Sequence, residues 1–248
     1  MIKKAFVTLL STKNYLKAVL ILNKSIKENK SSYPLVCGVT EDIFTQDIVK
    51  PLLDSGVIVE KIETLSYSEG TLDKWKGRSV LNTASKLSLF DLKNYDKLCY
   101  IDADTFLLDN IDEVLDRLDG SMISQNPGQA LDDYGFTGLF VFQPKYHRND
   151  FYKHLMQNFN VADGDLLGSL WFFTRTSPCH QIPYIYCMHY TYAVCNKLFP
   201  KSNERELSCM PKVIHFCNED KPWLNPEKFP LTDPIIKLYF SYMNSINI

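Results

Sequence analysis

The sequence predicts an α/β fold built on a central, mostly parallel sheet. Three observations predict it. Short apolar runs of strand length alternate with stretches of helical periodicity over residues 5–62. Leu98, Cys99, Tyr100 and Ile101 form a continuous apolar run, the signature of a parallel strand buried on both faces. That run ends directly in Asp102 and Asp104, and open α/β sheets bind ligands outside the carboxyl ends of their strands.

The elements follow in order. Residues 5–10 read as the first strand. Over residues 15–26, Leu16, Val19, Leu20 and Ile26 fall near helical spacing, with Ser11 or Thr12 as the cap. Residues 33–39 form a second strand with Pro34 near its start. Thr40, Glu41 and Asp42 open a second helix, and Gly56 closes it. Residues 57–62 form a third strand, and this alternation argues for right-handed crossovers in a parallel sheet. From 63 to 80 the pattern weakens around Gly70, Trp75 and Gly77, which mark a loop. Residues 81–92 return to a helix, with Ala84, Leu87 and Phe90 near one face.

After the acidic run, Asn110 and Glu113 resemble a capped helix start ahead of Val114, Leu115 and Leu118. Residues 122–124 are a short strand, 125–134 a loop rich in Pro, Gly and Asp, and 136–143 a strand ended by Pro144. Residues 151–159 and 165–173 read as helices. Residues 182–192 are apolar and aromatic and fit neither pattern. Residues 212–216 give a last strand, and 234–248 a terminal helix. No internal repeat or charged linker divides the chain, so one domain over 1–248 is expected, with 224–248 as a C-terminal helical extension.

Composition narrows the function. With 45% hydrophobic and 13% aromatic residues, the 248-residue chain can bury a sizeable core. A formal net charge of -2 gives no polyanion signal, which excludes nucleic acid and acidic membrane surfaces as expected partners. The first ten residues, MIKKAFVTLL, hold too short an apolar run for a signal peptide core, and no run approaches a membrane span. The seven cysteines are odd in number and form no CxxC pair, so buried thiols in a reducing, cytoplasmic setting are expected.

Three stretches carry chemistry. In KLCYIDAD, residues 97–104, two carboxylates flank the small Ala103, a spacing that suits a divalent cation holding a diphosphate. An acidic turn after a strand would read the same way. In HFCNEDKPW, residues 215–223, His215 can complete a metal site and Lys221 can neutralise a phosphate as a point charge. A lone His after an apolar pair is, more often, a satisfied core residue. Asp163, Gly164 and Asp165 stand at the head of a predicted helix, either as a cap or as a carboxylate presented to substrate.

Together, and in this order, these blocks resemble the glycogenin-like glycosyltransferases, the family 8 group of the GT-A fold. The resemblance runs from Ala5 to about Trp223 and includes AFVTLL, LFDLKNYDKLCYIDADTFLLDNIDEVLD, GLFVFQP and GDLLGSL. It implies a GT-A, Rossmann-like domain that binds a nucleotide sugar. Asp102, Asp104 and His215 resemble the metal ligands, with Mn2+ the usual ion. Leu9, Ser11 and Tyr15 resemble the nucleoside contacts. Arg78 and Lys86 resemble basic residues near the donor, and Lys221 a diphosphate contact. Asp165 resembles the carboxylate beside the reacting sugar, and Lys86 is grouped with it as catalytic. Ala103 and Asn218 complete the expected donor-binding set.

Three departures stand out. Phe136 and Thr137 replace the usual Asn-Ser or Asn-Thr before the GVFVF-type strand. Leu166 replaces Gln after Asp165, and Asn218 replaces Gly in the HFxG turn. The first two bear on sugar identity and acceptor binding. Asn adopts the left-handed conformation more readily than most residues, so the third is mild.

The expected function is therefore Mn2+-dependent, retaining transfer of a hexose from a UDP-sugar, UDP-glucose first. The acceptor would be a hydroxyl of a glycan, a protein or a small molecule, and a homodimer is compatible with the chain. Two other readings are a nucleotide-sugar-binding module without turnover and a self-glycosylating primer protein. Tyr184, Tyr186, Tyr190 and Tyr192 motivate the latter, but none matches the family's self-acceptor position securely.

Overall fold

The computed structural model describes residues 3–74, 83–116, 122–124, 136–146, 149–158, 180–191 and 211–246. The predicted α/β architecture is present. The strands are β1 (Lys4–Leu10), β2 (Leu35–Thr40), β3 (Ile58–Ile62), β4 (Lys97–Ile101), β5 (Thr105–Leu107), β6 (Met122–Ser124), β7 (Phe136–Phe142), β8 (His180–Ile182), β9 (Met188–His189) and β10 (Val213–His215). The α-helices are α1 (Leu16–Glu28), α2 (Gln46–Asp54), α3 (Glu69–Lys74), α4 (Glu113–Asp116), α5 (Asn149–Asn158) and α6 (Pro234–Asn244).

The main sheet has the order β3-β2-β1-β4-β7-β6-β8. Strands β3, β2, β1 and β4 are mutually parallel, and β7 runs antiparallel to both β4 and β6. The chain leaves β1 toward β2 on one side and returns to β4 on the other. The order therefore reverses between β1 and β4, and a crevice opens at their carboxyl ends.

Alternation along these strands explains why they read as unbroken apolar runs. Phe6 and Leu10 of β1, with Cys99 and Ile101 of β4, pack under α1 against Val19, Leu22 and Ile26. Ala5, Val7 and Leu9, with Leu98 and Tyr100, pack on the other face against Leu87, Leu89 and Phe90. Both faces are covered, so neither face needs polar residues.

The segment expected as a helix over 81–92 holds a 3-10 helix, Ala84–Asp91. Its residues from Ala84 to Phe90 are all buried. A three-residue period stacks Ala84, Leu87 and Phe90 in one column. The serines on its other sides bond outward: Ser88 Oγ donates to the Glu63 carbonyl at 3.0 Å, and the Leu65 amide donates to Ser85 Oγ at 2.9 Å. Gly38 makes room for this segment, because a Cβ there would lie 2.5 Å from the Leu89 side chain.

Helix α2 is preceded by a separate 3-10 turn, Glu41–Ile43, so the second helix starts later than expected. Gly56 does close it, with a φ of 77° that favours glycine. The ambiguous stretch after 182 holds a 3-10 turn, Tyr184–Tyr186, followed by β9.

A second sheet, β5-β10-β9, stands beside the first. Helix α6 covers it, placing Ile236, Tyr239 and Phe240 in one cluster with Phe106, Ile214, Phe216 and Trp223. Asp233 caps α6 by accepting from the Ile235 amide at 2.8 Å, and Pro234 occupies the first turn. The helix ends at Asn244, short of the predicted 248. Among the described residues, no helix is long and apolar enough to cross a membrane.

Candidate active site

The site is assembled where the two sheets meet. Strand β4 ends at Ile101, and the Asp102 amide donates to the Gly138 carbonyl of β7 at 2.9 Å. A tight turn follows, closed by the Thr105 hydroxyl and amide on the Asp102 carbonyl at 2.8 and 3.2 Å. This turn separates the carboxylates of Asp102 and Asp104 while keeping both at the crevice. Strand β5 then pairs antiparallel with β10, with His215 opposite Thr105. The Phe216 amide bonds to the Asp104 carbonyl at 2.9 Å, which fixes the end of β10 beside the acidic turn. Two blocks more than a hundred residues apart are thus joined by strand register.

The side chains converge. His215 Nε2 lies 2.9 Å from Asp104 Oδ1 and 3.7 Å from Asp102 Oδ2. One donor atom from each of the three residues lies within 4.8 Å of the other two. Lys221 Nζ donates to Asp104 Oδ2 at 2.6 Å and also to the Phe216 carbonyl. Lys86 Nζ lies 3.4 Å from Asp102 Oδ1 and 4.7 Å above the Tyr100 ring. The Tyr100 hydroxyl donates to the same Asp102 oxygen at 2.5 Å. Lys86, His215 and Lys221 are all nearly inaccessible to solvent. Lysines are almost never buried without a partner, and here each has a carboxylate.

Burial alone pushes the Asp104 carboxyl up, but the His215 imidazole and the Lys221 ammonium outweigh it and hold the group well below the usual carboxylate range. Tyr15 ends a 3-10 turn after β1, and its ring meets Trp223 edge-on at 5.1 Å. Burial, then the charges of Asp104 and Asp102, push its hydroxyl well up, which places Tyr15 close to the acidic pair. The Trp223 indole N–H donates to the Asn14 carbonyl at 2.9 Å, so the KPW block reaches the loop after β1.

Leu9 and Ser11 stand at the carboxyl end of β1, and Ala103 is buried between the two aspartates. Asn218 lines a cavity of about 200 Å3 with Tyr190, His215, Phe216 and Cys217. Of the residues expected at the donor, Arg78 and Asp165 lie outside the described residues, as does Leu166. A larger groove, of about 760 Å3, runs between α1, α2 and the end of α6 and contains none of the site residues.

Three neighbours of the site went unremarked in the sequence. Tyr100 sits two residues before Asp102 on the same strand face, a period-2 relation that could have signalled it. Cys187 Sγ faces His215 Nδ1 at 3.8 Å. His189 lies beside His215 across the β9–β10 pair, with ring centroids 5.8 Å apart. Burial, then the neighbouring His215, push its pKa down to about 4, so it stands neutral. Nothing in the spacing of Cys187 or His189 announces either contact.

Residues 6–227 match the family model described as Glycosyl transferase family 8. The chain belongs to that family. Glycogenin-2 of Homo sapiens is 31% identical over 230 residues, covering 89% of this chain and 43% of that protein. Galactinol synthase 2 of Arabidopsis thaliana is 37% identical over 119 residues, covering 48% of this chain and 35% of that protein. The aligned stretch therefore spans less than half the length of either relative. Among solved structures, the galactosyltransferase LgtC, crystallised with donor and acceptor sugar analogues, matches with a TM-score of 0.65 at 15% identity. That alignment covers 98% of this chain and 96% of LgtC, so family 8 membership and the GT-A fold agree.

Proposed function

We propose that this family 8 chain is a Mn2+-dependent, retaining glycosyltransferase that takes UDP-glucose as donor. The convergence of Asp102, Asp104 and His215 on one point is the observation that supports the reading most directly. The donor set fits the ion, since two carboxylates and an imidazole supply only oxygen and nitrogen donors. When bound, Mn2+ would neutralise the diphosphate and stabilise departing UDP.

The remaining roles belong to the chain's own side chains. Lys221 shares Asp104 with the ion site, and its ammonium is placed to meet a diphosphate oxygen as charge develops there. Lys86 and Tyr100 hold Asp102 from behind, keeping its carboxylate oriented. Tyr15 and Trp223 form an aromatic wall beside the acidic pair, and with Leu9 and Ser11 they are assigned to the nucleoside. Arg78 and Asn218 are assigned to the donor as well. Asp165 is assigned to the reacting sugar. There it would stabilise an oxocarbenium-like centre or orient the acceptor, while a diphosphate oxygen takes the acceptor proton. The acceptor is a hydroxyl of a glycan, a protein or a small molecule, and the setting is cytoplasmic.

Incubation with a panel of UDP-sugars and Mn2+ tests this reading. UDP release is expected, greatest from UDP-glucose, and chelation of the metal should stop it. No release from any donor, despite measurable UDP binding, would favour a binding module without turnover. Intact-mass spectrometry of the same samples is expected to show no ladder of hexose additions on the protein. The tyrosine hydroxyls support that expectation: Tyr186 donates to Glu113 and Tyr190 to Asp233, each at 2.8 Å. Hexose found on a tyrosine between 184 and 192 would establish self-glycosylation instead.

A further inference from the structure

We propose that Cys187 is a positioning residue for His215 and sets the affinity of the site for its cation. The inference rests on the metal-site reading given above. His215 turns Nε2 toward the two aspartates and leaves Nδ1 on the opposite edge of its ring. Cys187 Sγ faces that edge at 3.8 Å. The thiol is fully buried and the imidazole nearly so. The backbone holds both in place. The Cys187 amide donates to the Tyr184 carbonyl at 2.9 Å, and Ile214 and His215 of β10 pair in parallel with Met188 and His189 of β9.

The chemistry needs such a partner. A neutral imidazole that gives its Nε2 lone pair to a cation must carry its proton on Nδ1. A buried N–H without an acceptor is costly, and histidine ligands generally donate their second N–H to a fixed group. The thiol is both a weak donor and a weak acceptor. Without metal, Nε2–H donates to Asp104 and Nδ1 can accept the thiol proton. In the tautomer that binds metal, Nδ1–H can donate to the same sulfur. A carboxylate or a carbonyl at this position would serve only the second arrangement. Cys187 therefore orients the ring in both tautomers.

The test compares Mn2+ binding, in the presence of UDP, for the wild type, Cys187→Val, Cys187→Ala and Cys187→Ser. Free Mn2+ is read by electron paramagnetic resonance, so turnover is not needed. Valine keeps the bulk of the side chain and guards against a cavity effect in the alanine variant. The valine and alanine variants are expected to bind Mn2+ about 10- to 100-fold more weakly, the range for loss of a ligand's hydrogen-bonding partner. Serine, with a donor and an acceptor, should restore affinity close to that of the wild type. Wild-type affinity in the valine and alanine variants would overturn the inference while leaving the metal site intact. Equal losses in all three variants would overturn it in favour of simple packing. A wild type that binds no Mn2+ would overturn both this inference and the metal reading beneath it.

Discussion

Asp104→Asn is expected to reduce UDP release from the donor sugar by roughly a thousandfold, with the chain still folded. A metal ion that neutralises transition-state charge contributes several kcal/mol, and each 1.36 kcal/mol is about tenfold in rate. Asp104 is the more enclosed of the acidic pair and is bonded to both His215 and Lys221. Asparagine keeps the shape and one acceptor oxygen but removes the charge. The cation loses an anionic ligand, and Lys221 loses its counter-charge. Breaking a buried pair by removing one partner usually costs about 3–5 kcal/mol. Here the cost should be smaller, because Lys221 keeps the Phe216 carbonyl and gains the amide oxygen. A single cooperative melting transition at a lowered temperature, together with the lost activity, is the expected pair of results. Wild-type UDP release by the variant would remove Asp104 from the metal site.

Asp165→Ala should separate turnover from binding. The metal and nucleoside contacts are assigned to other residues, so UDP affinity should be unchanged. UDP release should fall by about a hundredfold or more if the carboxylate meets charge developing in the transition state. Leu166 cannot supply the amide that usually follows this aspartate in the family, so under the proposed role more of the polar contact with the sugar would fall to Asp165. The measurement is the rate of UDP release from UDP-glucose with saturating Mn2+, alongside the UDP dissociation constant. Equal rates in the two proteins would keep the enzyme and reject the role of Asp165. A parallel loss of UDP affinity would move Asp165 from the sugar to the nucleotide.

The parts of this fold that were legible before the structure share one property: their signal is local and double-sided burial makes it strong. β1 and β4 are apolar on both faces because helical segments cover both. Gly56 announced the end of α2 because its φ of 77° suits no other residue as well. The helix expected over 81–92 does not announce its 3-10 form, Ala84–Asp91, for the opposite reason. Its residues are buried all round, so no polar face marks the period, and its serines bond to the neighbouring strand loop.

The site divides in the same way. Asp102 and Asp104 could be read from one stretch, since the turn that places them is four residues long in the sequence order 102–105. His215 and Lys221 read as candidates in their own stretch, where a core histidine reads the same way, and the β5–β10 register is what joins that stretch to the turn. His189 belongs to a strand of two residues, and Cys187 stands between that strand and the 3-10 turn Tyr184–Tyr186, where neither period has room to appear. Helix α6 was predicted to continue through 248. It stops at Asn244, where Ser245 takes the capping position and its hydroxyl bonds back to the Tyr242 carbonyl.

The central claim is that the acidic pair and His215 hold a cation that in turn holds the nucleotide diphosphate. Calorimetric titration of the wild-type chain with UDP, with and without Mn2+, tests it most directly. The account predicts tight binding only when Mn2+ is present, because the two carboxylates repel a bare diphosphate and Lys86 and Lys221 are already engaged by them. Equal UDP affinity in both conditions would contradict it.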